Sequence, residues 1–282
     1  MLEITSIYQQ KTTNPPPGAR PGLRGATART PIVFLPLIEA RDETRPSANV
    51  VVVCEHASNH FPEAFGTLGL GEDARRAHVA WDPGALGVAR AMAAELNADL
   101  VAGSVSRLIY DCNRPPEAPS ACPDRSERFE IPGNCTLSET DKAARVAAVY
   151  TPFRKALATL MQARGQGVLV TVHSFTPVYQ GAPRDCEIGI LHDRDSRLAD
   201  ALLSEWPGDA PWHASRNEPY GPGDGVTHTL VEHGIARGWP NVMLEIRNDL
   251  IASEATQSQA GRFLARRIAL AMPALNGGDR YA

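Results

Sequence analysis

Val50-Val51-Val52-Val53-Cys54-Glu55-His56-Ala57-Ser58-Asn59 is the stretch on which the reading of the fold turns. Its first five residues are apolar, and four of them are β-branched. Such a run predicts a strand buried on both faces, as parallel strands between two layers of helices are. The polarity then switches abruptly at Glu55 and His56. Two further runs have the same form. Val168-Leu169-Val170-Thr171-Val172 leads into His173-Ser174, and Val242-Met243-Leu244-Glu245-Ile246 leads into Arg247-Asn248. Glu187-Ile188-Gly189-Ile190-Leu191 is another strand, and Leu100-Val101 and Leu108-Ile109-Tyr110 are shorter candidates.

Helical spacing fills the intervals. Leu86, Val88, Ala89, Met92 and Leu96 place a helix over 82–98. Thr136-x-x-Glu139 has the form of a capping box and opens an alanine-rich helix that runs to Arg164. Pro152 predicts a kink or break in it, and Gly165 and Gly167 end it. Residues 196–205, 225–237 and 253–271 are further helices. Strands alternating with helices imply one sheet covered on both faces. The Pro/Gly-rich stretches 115–133 and 206–225 are long loops, which commonly carry function or are mobile.

Composition narrows the function classes. At 282 residues, 43% hydrophobic and 21% charged, the chain is neither collagen-like, coiled coil nor wholly disordered. A net charge of −4 gives no sign of a nucleic-acid binder. No apolar run of transmembrane length occurs, so a membrane partner is not expected. Five cysteines without CxxC spacing argue against a disulfide scaffold or zinc knuckle and for a reducing cytoplasm. Residues 1–46 differ from the rest, with Pro15-Pro16-Pro17 and several Gly and Arg residues. Their apolar patch, Ile32 to Ile38, is too short and too late for a signal sequence. They read as an extended arm, either docked through that patch or without a role, ahead of a single domain over 47–282.

Ligands of open α/β sheets bind beyond the carboxyl ends of the strands, and polar residues gather there. Two imidazoles plus a carboxylate, with one position open to water, form the ligand set of a catalytic zinc. His56 and His173 supply the imidazoles, although either alone reads as a histidine hydrogen-bonded at a strand end. Asp82, between Trp81 and Pro83, is either a helix N-cap or the completing ligand. Glu245 lies within an apolar strand. It is either salt-bridged to Arg247 or Arg107, or a general base tuned by burial. Asn113-Arg114 suits a substrate carboxylate, and Arg107 suits an oxyanion. As surface residues, these arginines would instead pair with Asp111 or Glu117. Among the other histidines, His228 stands out because it follows a glycine-rich loop. Cys54 and Cys112 lack an orienting pattern. No G-x-S-x-G elbow, Walker loop or dinucleotide fingerprint occurs.

At four stretches the chain resembles the N-formylglutamate amidohydrolase family: Val53 to Asn59, His78 to Ala85, Ser106 to Pro115 and Val172 to Pro177. The similarity spreads over roughly residues 49–270, and the order of parts is also similar to that of zinc carboxypeptidases and aspartoacylases. The resemblance implies an α/β three-layer sandwich with a central mixed, mostly parallel sheet, phosphorylase/hydrolase-like. It implies zinc on His56 and His173, oxyanion assistance from Arg107, a carboxylate held by Asn113 and Arg114 with Ser174 beside them, and Glu245 as base. The sequence departs at Asn59, where the wider group carries an acidic ligand. Asp82, then Glu55, is the replacement. The expected activity is metal-dependent cleavage of the amide of N-formylglutamate or a related N-acyl amino acid, a small-molecule substrate. Its rivals are another carboxypeptidase or deacylase substrate, or a non-catalytic binder of small anions.

Overall fold

The computed structural model describes residues 32–275. Its strands are β1 (Leu37–Glu39), β2 (Val50–Cys54), β3 (Asp99–Ala102), β4 (Arg125–Ser126), β5 (Phe129–Glu130), β6 (Val168–Phe175), β7 (Val178–Tyr179), β8 (Ala182–Pro183), β9 (Ile188–Leu191), β10 (Ala214–Arg216) and β11 (Asn241–Arg247). Its helices are α1 (Glu72–Arg76), α2 (Ala85–Leu96), α3 (Glu139–Arg145), α4 (Thr151–Arg164), α5 (Arg197–Ser204) and α6 (Glu254–Leu275). Seven strands make one mixed sheet in the order β1-β3-β2-β6-β11-β9-β10. Four central strands, β3, β2, β6 and β11, run parallel; β1 pairs antiparallel with β3 and β9 antiparallel with β11, while β10 pairs parallel with β9. β4–β5 and β7–β8 are separate hairpins.

The sheet is covered on both faces, and the alternation along β2 shows how. Val50, Val52 and Cys54 pack with Val88 and Met92 of α2 and Leu264 and Ile268 of α6. Val51 and Val53 face the other way, onto Phe153, Leu157 and Met161 of α4. All of β2 is buried, so its residues are apolar throughout rather than on alternate positions. Among the described residues, no helix is long and apolar enough to cross a membrane.

Several local expectations are corrected. Leu108-Ile109-Tyr110 is buried but is no strand. Ile109 N donates to Ser106 O and Leu108 N to Ser106 Oγ, so the apolar residues form a turn packed beneath the site. The helix cap is Ser138, not Thr136: Ser138 Oγ accepts from Asp141 N, and the Asp141 carboxylate accepts from Ser138 N. The alanine-rich helix divides into α3, a π-helical turn (Val146–Tyr150) and α4, with Pro152 in the first turn of α4. Proline has no N–H for the carbonyl four residues back. That carbonyl, Ala148 O, accepts instead from Phe34 N at 2.8 Å. The helix expected over 225–237 begins only at residue 228, and past residue 229 it is a π-helical turn, Leu230–Gly234, followed by a 3-10 turn, Ile235–Arg237. β1 and β10 are additional edge strands, each only three residues long.

Candidate active site

The parallel register brings the chemistry to one rim. Val53 pairs with Thr171, and His173 pairs with Glu245. Glu55 and His56 emerge just beyond β2, and His173 lies near the end of β6. Asp82 is tied to the same place because its N–H donates to His56 O at 2.9 Å. The turn after β3 follows, as Gly103 N donates to Cys54 O and Arg107 N to Ala80 O. Gly103 has to be glycine, since a Cβ there would lie 2.0 Å from Glu55 O.

Three donor groups converge. His173 Nδ1 lies 3.1 Å from His56 Nδ1 and 3.0 Å from Asp82 Oδ2, and His56 Nδ1 lies 3.2 Å from the same oxygen. All three residues are buried. Asp82 therefore does not cap α2, whose N-cap is Gly84 with no side-chain bond. Asn59 is turned away, its Nδ2 donating to Arg75 O.

The outer nitrogens of both rings face carboxylates. His56 Nε2 donates to Asp111 Oδ1 at 2.7 Å, and His173 Nε2 lies 3.1 Å from Glu55 Oε2. With protons on the outer nitrogens, both Nδ1 lone pairs aim at a carboxylate oxygen, so a cation belongs between them: a proton on His173 in metal-free protein, or a metal ion in its place. Tetrahedral zinc with ligand bonds of about 2.1 Å has ligand–ligand edges of roughly 3.4 Å, close to the spacing of this trio. His56, Asp82 and His173 thus form a group able to bind a divalent metal.

Ionisation follows the same geometry. Burial opposes charge on His173, yet Glu55 and Asp82 outweigh it and hold its pKa well above the usual histidine range. Burial likewise works against ionised Asp82 and Asp111. For Asp82, His56, His173 and Arg107 prevail; for Asp111, Arg107 and His56 do, and both pKa values end far below normal. Glu245 behaves in the opposite way. Burial, reinforced by Asp82, pushes it up to about 7, against the pull of His173, His56 and Arg107. Its Oε2 has no hydrogen-bond partner. The bridge to Arg247 does not form: Arg247 binds Asp249 at 2.9 Å.

A cavity of about 340 Å³ opens over this cluster. His56, Asp82, His173, Glu245, Arg107, Asn113, Arg114 and Ser174 all reach it, with Phe175, Tyr179 and Tyr220 along one wall. Not all of them are uncommitted. Arg107 spans two carboxylates, with Nη1 3.3 Å from Asp82 Oδ1 and Nη2 2.7 Å from Asp111 Oδ2. Asn113 donates through Nδ2 to Val226 O and accepts from Thr229 N, fastening the 226–229 segment. Ser174 Oγ donates to Pro83 O, and its N–H to Asp82 Oδ2, steadying Asp82. Arg114 is half-buried and keeps most of its donors free, with one Nη1 bond to Asn113 O. His228 stands apart, paired with the Tyr150 hydroxyl at 2.8 Å. Asp111 and Tyr220 were not singled out as site residues in the sequence; Asp111 entered only as a salt-bridge partner for an arginine, the pair it makes with Arg107.

The N-formylglutamate amidohydrolase family model matches residues 48–252. The chain belongs to the N-formylglutamate amidohydrolase family. Membership implies an amidohydrolase, and the matched region contains His56, Asp82, Arg107, Asp111, Arg114, His173 and Glu245. A gene product of Agrobacterium tumefaciens of known crystal structure is 52% identical, with a TM-score of 0.78 over 81% of this chain and 92% of that one. An N-formylglutamate amidohydrolase from Ralstonia eutropha is 18% identical, with a TM-score of 0.51 over 86% of this chain and 97% of that one, which shows a shared fold. Comparison with curated proteins finds no match.

Proposed function

We propose that this member of the N-formylglutamate amidohydrolase family hydrolyses the amide bond of an N-acyl amino acid, with N-formylglutamate as the reference substrate. The observation that carries this reading is the convergence of His56, Asp82 and His173 beside an unpaired buried carboxylate, Glu245, in a cavity that also presents Arg114. When bound on those three residues, zinc or another divalent ion supplies Lewis acidity, polarising a carbonyl and easing the ionisation of water.

This chain's own residues do the rest. Glu245 accepts the proton of the attacking water at its unpaired oxygen and passes it to the departing amide nitrogen. Arg114 offers a fork of donors to the substrate carboxylate, turning binding into orientation. Arg107 holds Asp82 and Asp111 and adds positive charge where the carbonyl oxygen becomes negative. Asn113 and Ser174 act through the backbone they fasten: Asn113 steadies the wall at Val226, and Ser174 steadies Asp82. Five cysteines without CxxC spacing favour a reducing, cytoplasmic setting.

Two measurements test the reading: metal content after purification without chelator, and hydrolysis of a panel of N-formyl and N-acyl amino acids. The expected result is about one divalent ion per chain and turnover that chelation abolishes and metal restores. Turnover undiminished by complete metal removal overturns the metal-dependent mechanism. Binding of N-acyl amino acids without turnover favours the small-anion binder instead.

A further inference from the structure

Glu55 is a buried carboxylate for which the proposed reaction has no use. It lies immediately after β2, next to His56, and is 2% exposed. Neither of its oxygens has an aligned hydrogen bond, and the same is true of His173 Nε2 and of Thr171 Oγ1. Glu55 Oε2 and His173 Nε2 are nevertheless 3.1 Å apart, within ion-pair reach. An ionised carboxylate withdrawn from water at a strand end is costly unless something compensates it. Arg107 is committed to Asp82 and Asp111, and the ion pair Glu55 makes is with His173.

The two nitrogens of His173 have different duties. Nδ1 faces His56 Nδ1 and Asp82 Oδ2. It can offer a lone pair there only if the ring proton sits on Nε2, the atom that faces Glu55. His56 has the same design, with Nε2 donating to Asp111. Glu55, second choice as the third ligand on sequence grounds, therefore sits behind an imidazole and not beside the metal position. A carboxylate behind a ligating imidazole fixes its tautomer and ring angle and makes it a stronger donor.

We infer that Glu55 is the positioning residue of His173, holding the proton on Nε2 so that Nδ1 is presented to the metal, and that it thereby sets the metal affinity of the site. The inference rests on the metal reading above. The buried Thr229 hydroxyl is a second group acting on the Glu55 carboxyl, where it favours the ionised form.

Zinc affinity of chelator-stripped protein, measured by competition with a chromophoric chelator, tests this without reference to turnover. Glu55→Gln keeps the shape but not the charge, and its zinc affinity should fall about 10–100-fold. Glu55→Asp, which keeps the charge on a shorter arm, should recover part of that loss. Zinc affinity within twofold of wild type in a folded Glu55→Gln protein, whatever its melting temperature, overturns the inference. Should that variant fail to fold, nitrogen-15 NMR of zinc-loaded wild type decides. A proton on His173 Nε2 with Nδ1 ligated supports the assignment, and the reverse tautomer overturns it. Wild type that takes up no zinc overturns the underlying metal reading instead, an outcome distinct from either.

Discussion

Glu245 presents its unpaired oxygen to the cavity while its strand neighbours are buried apolar residues, so its charge state is the most informative single variable in the site. Its pKa in the folded protein is about 7, above the ordinary 4.5, because of burial first and Asp82 second. The folded state therefore keeps this proton longer than the unfolded chain does. In metal-free protein the contribution of Glu245 to stability is highest below pH 4.5, declines as the pH rises to about 7, and changes no further above. Over that window the loss is about 3 kcal/mol at most. Glu245→Gln should flatten this part of the stability–pH curve, measured by urea unfolding in chelator. In metal-loaded enzyme the same variant should lose roughly 10²–10⁴ in kcat with metal content unchanged. An unaltered stability slope together with normal turnover removes Glu245 from the mechanism.

Arg114 permits a second test at this scale. Arg114→Lys keeps a charge but loses the planar fork. KM for an N-acyl amino acid should rise at least tenfold, while KM for the matching amino-acid amide moves little. Equal shifts on both substrates mean that Arg114 does not recognise the carboxylate. At this scale, residue types were legible but commitments were not. Two histidines after buried strands, and a carboxylate inside one, stand out in any reading of the chain. The Arg107–Asp111 pair, four residues apart, was open in the sequence as the alternative to an oxyanion role, but that Asp82 also engages Arg107, and that Asn113 fastens Val226 and Thr229, depends on contacts between segments tens of residues apart or more.

Among the elements, α2 and the segment before it couple packing to the site. Asp82 is followed by Pro83 and Gly84, and Gly84 has φ +83°. A Cβ there would lie 2.6 Å from Ile251 O. Positive φ and a backbone clash combine, so Gly84→Ala should cost roughly 2–4 kcal/mol. Its melting temperature should fall by about 5–15 °C, read by calorimetry on metal-free protein. Melting within 2 °C of wild type would show that Ile251 yields without cost. The strand cores were legible because the central strands are buried on both faces and must be apolar. The same rule misled at Leu108-Ile109-Tyr110, whose buried residues supply a turn beneath the site. Capping is ambiguous when Thr136 and Ser138 both precede acidic residues, and only the backbone decides for Ser138. Pro152 marked the break in the long helix, but its physical counterpart, Phe34 binding the freed Ala148 carbonyl, lies more than a hundred residues away.

For the whole molecule, the open question is where the folding unit begins. Sequence composition suggests an arm over 1–46 and a domain over 47–282, and residues 1–31 lie outside the described part of the structure. Between them, Leu37–Glu39 pairs in register with Leu100–Ala102 of β3. Beyond that strand, Arg41 N donates to Asp99 Oδ1 and Asp42 N to Asn97 Oδ1, while Glu43 pairs with Arg164 at 2.6 Å. Each such hydrogen bond contributes on the order of 1 kcal/mol net, and losing the partner of a buried group costs more. Deletion of residues 1–46 should therefore melt about 5–15 °C below deletion of residues 1–31, at the few degrees per kcal/mol expected for a domain this size. It should also aggregate more readily, because β3 becomes an unprotected edge. β3 neighbours β2, the strand that leads into Glu55 and His56, so loosening at this edge reaches the rim through one ladder of hydrogen bonds. Equal melting temperatures for the two deletions would place the boundary at residue 46, with the β1 pairing adding nothing to stability.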